Sequence, residues 1–328
     1  MIIRSIFLSC SFFFLTLQGC TERFHYATAQ AAVQPPEPTR VLAVYEPWFG
    51  HPRHIDVGYS STDPTVIKKQ ILSAKQMGIS GFVIDWYGYR EPFLDKSYSL
   101  LQKIAAQQDF TVAMMYDETN DDTEIATDDA LVSFEKFRQN YLVPGAPGRE
   151  AYLQYRGRPV IFIFPKGGHT DWNRVRAALD RWDPPPLLIY ENRPTPDKQL
   201  FDGFYAWINP GSKGWSPEGN NWGQDYLTDF YQTMRTKYPG KIAVGAAWAQ
   251  FDDSKASWGL GRKISNRCGA TFFDTLDLAC RYASEAAMPF ILVGTWNDYE
   301  EGSAIERGLP TCESTSRKIT AQELSCRR

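Results

Sequence analysis

Neither basic nor acidic residues are in marked excess in this chain. Its 35 basic and 38 acidic residues leave a net charge of −3, so nothing marks the basic face that nucleic acid or anionic lipid requires. Histidine is scarce, with four residues. Cys268, Cys280, Cys312 and Cys326 show no C-x-x-C spacing and no histidine near them, which argues against a zinc site. His51, His54 and Asp56 lie close in sequence but fit no strong ligand motif. The acidic run from Asp117 to Glu124 lacks the glycine and terminal glutamate of an EF-hand loop and reads as a solvated loop. Neither a G-x-S-x-G elbow nor a Walker loop occurs, which argues against esterases and nucleotide enzymes. No metal or other cofactor is expected.

Long apolar runs are also missing. The stretch from Ile6 to Leu17 follows a single basic residue, Arg4, and is too short to span a bilayer as a stable helix. It has the length of a signal-peptide core, with residues 1–19 as the expected leader. It ends in Leu17-Gln18-Gly19-Cys20, a pattern that looks like a bacterial lipobox. The expectation is therefore cleavage before Cys20 and acylation of that cysteine, whose chains would anchor the protein. The competing reading is an ordinary signal peptide with an incidental cysteine. Residues 20–40 carry no hydrophobic period and include Pro35-Pro36-Glu37-Pro38, as a tether would. The expected location is the outer membrane or cell surface of a bacterium, and the chain is expected to act as a monomer.

What is present is a regular alternation. β-rich runs at 41–45, 81–85, 111–116, 159–164, 187–190, 203–207, 241–247 and 290–295 are nearly continuous apolar stretches, as buried parallel strands are. Amphipathic segments separate them, the first opening on Asp63-Pro64, a capping residue and a first-turn proline. Another, after Glu191, is short and weakly periodic. Eight such units predict an α/β protein, a single (β/α)8 TIM barrel over residues 41–308 with a tail at 309–328. A doubly wound open sheet would want a glycine-rich turn after the first strand, and Glu46-Pro47-Trp48-Phe49-Gly50 is not one. Of the six cysteines, Cys268, Cys280, Cys312 and Cys326 would remain in an exported barrel. The sequence-local pairs Cys268–Cys280 and Cys312–Cys326 are expected among three possibilities.

The strands end on acids, amides and large rings. In a barrel these ends converge on one rim, where active sites are built. With 14% aromatic residues, the rim is expected to form an aromatic-walled cleft suited to sugar faces. Its expected substrate contacts are Trp48, Asp85, Trp86, Tyr87, Tyr116, Asp117, Glu191, Trp207, Trp248, Trp296, Asn297 and Tyr299, with Glu118 a further candidate. Past the last strand, Asp298 and Glu301 stand three residues apart, so a helical turn would bring both carboxyls to one side. Like charges that close raise one pKa and supply a proton donor beside an ionised partner. The same D-x-x-E spacing also occurs where an aspartate merely caps a helix.

The run Thr295-Trp296-Asn297-Asp298-Tyr299-Glu300-Glu301-Gly302 resembles the catalytic stretch of glycoside hydrolase family 99, and is similar to the W-N-D-Y-G-E run of family 71. Tyr45-Glu46-Pro47-Trp48-Phe49-Gly50 and Gly78-Ile79-Ser80-Gly81-Phe82-Val83-Ile84-Asp85-Trp86-Tyr87-Gly88 look like the openings of the first two units in those barrels. The resemblance implies a glycosidase cleaving an α-linked polysaccharide or glycan, endo-acting. Glu301 matches the general acid/base. Asp298 matches the partner that activates the sugar's own 2-hydroxyl in family 99; family 71 is thought to invert. An aspartate where family 99 has glutamate, and Tyr299-Glu300 where it often has an aromatic and histidine, depart from the pattern. The alternative is a surface lipoprotein that binds glycan without cleaving it.

The lipobox has a direct test. Cys20→Ser is expected to move the protein from the membrane fraction to the soluble fraction. Persistent membrane association of that variant would refute acylation at Cys20.

Overall fold

The computed structural model describes residues 38–326 apart from 120, 193, 195–198 and 285–287. The leader, Cys20 and nearly all of the tether lie outside the described residues, as does part of the segment after Glu191. Eight parallel strands form the centre: β1 (40–45), β2 (81–86), β3 (111–117), β4 (158–164), β5 (187–191), β6 (203–205), β7 (242–247) and β8 (290–293). They pair in the order β3-β2-β1-β8-β7-β6-β5-β4, and Met114 of β3 against Ile161 of β4 closes the ring. The eight-stranded barrel expected from the alternation is therefore what the chain forms.

Six α-helices occur among the described residues: α1 (64–76), α2 (92–107), α3 (123–137), α4 (172–179), α5 (224–237) and α6 (270–283). Three begin on an aspartate that caps them. Asp63 accepts from the Thr65 amide at 2.7 Å, Asp122 from Glu124 and Ile125 at 3.1 Å, and Asp171 from Asn173 and Arg174 at 3.1 and 3.2 Å. Each such cap contributes about 1 kcal/mol.

Strand side chains alternate between two layers. Leu42, Val44, Val83, Met115, Phe162, Ile189, Tyr205 and Leu292 fill the barrel interior. Ala43, Tyr45, Phe82, Ile84, Met114, Ile161 and Leu188 face outward onto the helices. That alternation fixes which rim residues can reach a ligand.

No α-helix follows β8 among the described residues; the tail fills that position. Ile319 and Leu324 are buried in the outer core. Ala321 lies so close to Gly78, at the end of α1, that a Cβ there would come within 2.9 Å of the Ala321 Cα; Gly78 has φ +88°. The bridges join Cys268 to Cys312 and Cys280 to Cys326, with Cα–Cα distances of 4.6 and 5.0 Å. This corrects the sequence-local pairing. Cys268 and Cys280 lie before and within α6, about 18 Å apart at the helical rise, far beyond the reach of a disulfide.

Each bridge spans a separation of 44 or 46 residues, for which loop-closure entropy gives about 4 kcal/mol. Peptide mapping without reduction is expected to recover these two cross-links. Cys326→Ser should lower unfolding free energy by about 2–4 kcal/mol; recovery of a 268–280 cross-link would contradict the placement of the tail.

Candidate active site

At the C-terminal ends of the strands lies a cleft of about 800 Å³. Alternation decides its lining. Counting inward positions past β1, β2, β3 and β5 gives Glu46, Asp85, Tyr87, Asp117 and Glu191, and all five line the cleft with Trp48 and Trp207. Residues of the opposite parity do not. Trp86 packs on Phe137 and directs its indole at Asp95 (3.3 Å). Tyr116 bonds Asp129 at 3.2 Å. Trp248 is buried and donates to the Trp222 carbonyl at 3.0 Å, and Trp296 packs on Phe82. These four are core residues, not cleft walls.

Three other expected contacts take structural roles. Asn297 binds the main chain of Glu46 twice, accepting from its amide at 2.8 Å and donating to its carbonyl at 3.0 Å. It thereby ties the segment after β8 to the end of β1, and orients Glu46 rather than Asp298 or Glu301. Tyr299 donates to Glu306 at 2.7 Å under the guanidinium of Arg307. Glu118 is buried and accepts from Gly168 and Thr170 amides at 3.0 and 2.8 Å, pinning the loop after β4.

Asp298 and Glu301 both line the cleft. They stand on a turn rather than a helix, and Asp298 caps it, its Oδ1 accepting from the Glu300 and Glu301 amides at 2.9 and 2.8 Å. Capping and cleft-lining coexist in this one carboxyl. Glu301 engages no backbone amide. Its Oε1 accepts from the Trp258 indole at 3.0 Å, and Arg262 stands 3.8 Å away. Glu300 turns to the other side, bonded to His54 at 2.8 Å and the Ile55 amide at 3.2 Å.

Several lining residues lie outside the expected set: Glu46, His54, Lys166, Trp258 and Arg262. Glu46 sits one inward step beyond Val44, so alternation alone could have marked it. Trp258 and Arg262 come from an insertion after β7 in which 251–252 pairs antiparallel with 263–264. Buried Asp253 organises it, accepting from the amides of Leu260 (3.0 Å) and Arg262 (2.8 Å) and from the Arg262 guanidinium (2.6 Å). The insertion is tied to the Glu301 turn by the Asp252 amide, which donates to the Glu301 carbonyl at 2.8 Å. Gly302 takes φ +64°, a conformation that strains other residues, and a Cβ there would come 3.1 Å from the Asp252 carbonyl oxygen.

Burial favours the neutral forms of the cleft carboxyls. Asp298 is pushed up to about 8 by burial and by the charge of Glu301, against the two amides that favour its anion. Burial also raises Glu301, opposed by Trp258 and Arg262. Burial and neighbouring carboxylates raise Glu46 and Asp85 well above the usual range. Glu191 goes up to about 7 through burial and Asp117. Asp117 goes to about 6, restrained by Lys166, whose ammonium lies 2.9 Å from it and 4.1 Å from the Tyr87 ring centre.

No family model and no curated protein matches the sequence. Solved structures do. The family 99 endo-α-mannosidase of Bacteroides thetaiotaomicron in complex with Bis-Tris propane aligns at TM-score 0.62 and 18% identity, over 81% of this chain and 86% of that one. A second structure of that enzyme gives 0.63 and 16%, over 85% and 92%. A glycoside hydrolase-like protein gives 0.57 and 14%, over 88% and 92%. This chain shares their fold. The likeness covers more than four-fifths of this chain in each case.

The raised carboxyls make stability depend on pH. Unfolded, aspartate and glutamate titrate near 3.8 and 4.5, so between about pH 4 and 8 the folded state binds more protons. The contribution to stability is complete below the unfolded values and is lost as pH rises through about 6 to 8. Thermal unfolding midpoints should therefore fall from pH 5 to pH 8.5, and Asp298→Asn should fall less steeply than wild type. Parallel curves would show that Asp298 does not hold a proton in the folded protein.

Proposed function

We propose that the protein is a glycoside hydrolase acting on an α-linked polysaccharide or glycan, with Asp298 and Glu301 as its catalytic pair. The observation that carries this reading is their joint position in one cleft at the strand ends, one carboxyl deeply buried and the other held by an indole. One protonated and one ionised carboxyl are what acid–base cleavage of a glycosidic bond requires. The barrel likeness to a family 99 endo-α-mannosidase and to a glycoside hydrolase-like protein supports it. Endo action rests on that likeness.

Glu301, with 18% of its side chain exposed in the cleft, delivers its proton to the glycosidic oxygen as the bond to the anomeric carbon breaks. The two amides on Asp298 favour its anion, the form that acts as base. As the glycosidic bond breaks, ionised Asp298 takes a proton either from the sugar's own 2-hydroxyl, whose oxygen bonds to the anomeric carbon and is later displaced by water, or from a water that bonds to that carbon directly. The first route retains anomeric configuration and the second inverts it, so NMR of the first-released anomer separates them. Trp48 and Trp207 offer faces to the sugar rings. The N-terminal pattern ending at Cys20 places this activity at the outer membrane or cell surface in our reading, where a polysaccharide is within reach.

Losing a general acid typically costs about 10²- to 10⁴-fold in rate. Glu301→Gln should show such a loss in turnover of substrates with natural leaving groups while retaining binding. Glu300→Gln, which alters only the His54 and Ile55 contacts, should lose far less. Equal behaviour of the two variants in a reducing-sugar assay would remove the catalytic assignment and leave a glycan-binding protein.

A further inference from the structure

The charges of the cleft do not balance. Glu46, Asp85, Asp117, Glu191, Asp298 and Glu301 all line it. Of the lining cations, Arg262 pairs most closely with Asp253 at 2.6 Å and stands 3.8 Å from Glu301, and Arg53 pairs with Glu91 at 2.8 Å. His54 is bonded to Glu300. Lys166 alone stands directly against a floor carboxylate, Asp117. Three of these acids also keep an oxygen without a hydrogen-bond partner in a nearly inaccessible position: Glu46 Oε2, Asp85 Oδ1 and Asp117 Oδ1. Their residues are 3%, 8% and 5% exposed. A buried carboxylate oxygen left unpaired is costly, so these atoms point to a ligand that donates to them.

The ligand's chemistry follows from the geometry. A single metal ion does not fit, because among the described residues no three such donors are placed to hold one. The protein itself shows what does fit: the Lys166 ammonium sits on Asp117 and over the face of Tyr87 at 4.1 Å. Carboxylate below and aromatic face beside is how an ammonium is held in a desolvated site. The remaining floor carries Glu46 and Asp85, and the rings of Trp48 and Tyr87 line the same cleft.

We propose that the cleft floor around Glu46 and Asp85 is a subsite for an ammonium group, and that the glycan substrate carries unacetylated amino sugars. This rests on the glycosidase reading and names its substrate class. A neutral sugar would leave the floor's mutual repulsion to be relieved by protons, whereas an ammonium relieves it by pairing. Binding an ammonium therefore ionises the floor and releases protons.

The test uses binding, so it stands apart from catalysis. Methyl 2-amino-2-deoxy-α-glycosides of the gluco, galacto and manno series are titrated calorimetrically into the full-length protein, beside their N-acetyl and 2-hydroxy counterparts. At least one amino glycoside should bind tenfold or more tightly than both counterparts, with proton release seen as a buffer-dependent heat. Asp85→Asn should abolish that preference, and Glu46→Gln provides the same test where the first variant fails to fold. Equal or tighter binding of the neutral sugars would overturn the proposal, as would a preference undiminished in both variants. Either result leaves the glycosidase reading to the Glu301→Gln assay.

Discussion

Alternation along the barrel strands is the constraint on which everything else here depends. Successive side chains leave a strand on opposite faces, so a closed parallel ring sorts each strand-end pair into one residue for the cleft and one for the core. Asp85 and Trp86, Tyr116 and Asp117, Tyr190 and Glu191 are split in this way. The carboxyls go in and the adjacent rings go out to pack on helices. The acidic cleft and the aromatic outer core are two faces of one periodicity.

Driving so many carboxyls into one enclosed space opposes folding, and the surrounding structure is arranged to hold them there. Asn297 fastens the main chain of Glu46 across the seam between the first and last strands. Two amides hold Asp298, and an insertion organised by buried Asp253 brings an indole to Glu301. These contacts fix positions without supplying positive charge. The floor keeps its electrostatic demand for a proton or a cation.

Much of the fold was legible in the chain. Buried parallel strands read as apolar runs, and Asp63 beside Pro64 marks a helix start by a local bond any helix needs. The pair Asp298 and Glu301 was legible because three-residue spacing forces neighbours together in any tight turn. The cleft walls were legible only by half. Trp86, Tyr116, Trp248 and Trp296 satisfy the same local pattern as Trp48 and Trp207, and residue type at a strand end says nothing about which face it takes until the register is counted. Trp258 and Arg262 gave no signal, since they come from an insertion with no periodicity, folded back by Asp253.

The sequence by itself determined the repeated strand and helix units, the number of barrel strands and the acid pair after the last of them, because each follows from contacts between near neighbours. Tertiary structure decided the rest. It joined Cys280 to Cys326 and Cys268 to Cys312, because the tail fills the place of an eighth helix and α6 holds Cys268 and Cys280 apart. It gathered Glu46, Asp85, Asp117, Glu191, Asp298 and Glu301 from separate strand ends into one cleft. Their protonation depends on that gathering, since burial and mutual charge arise only when the ring closes.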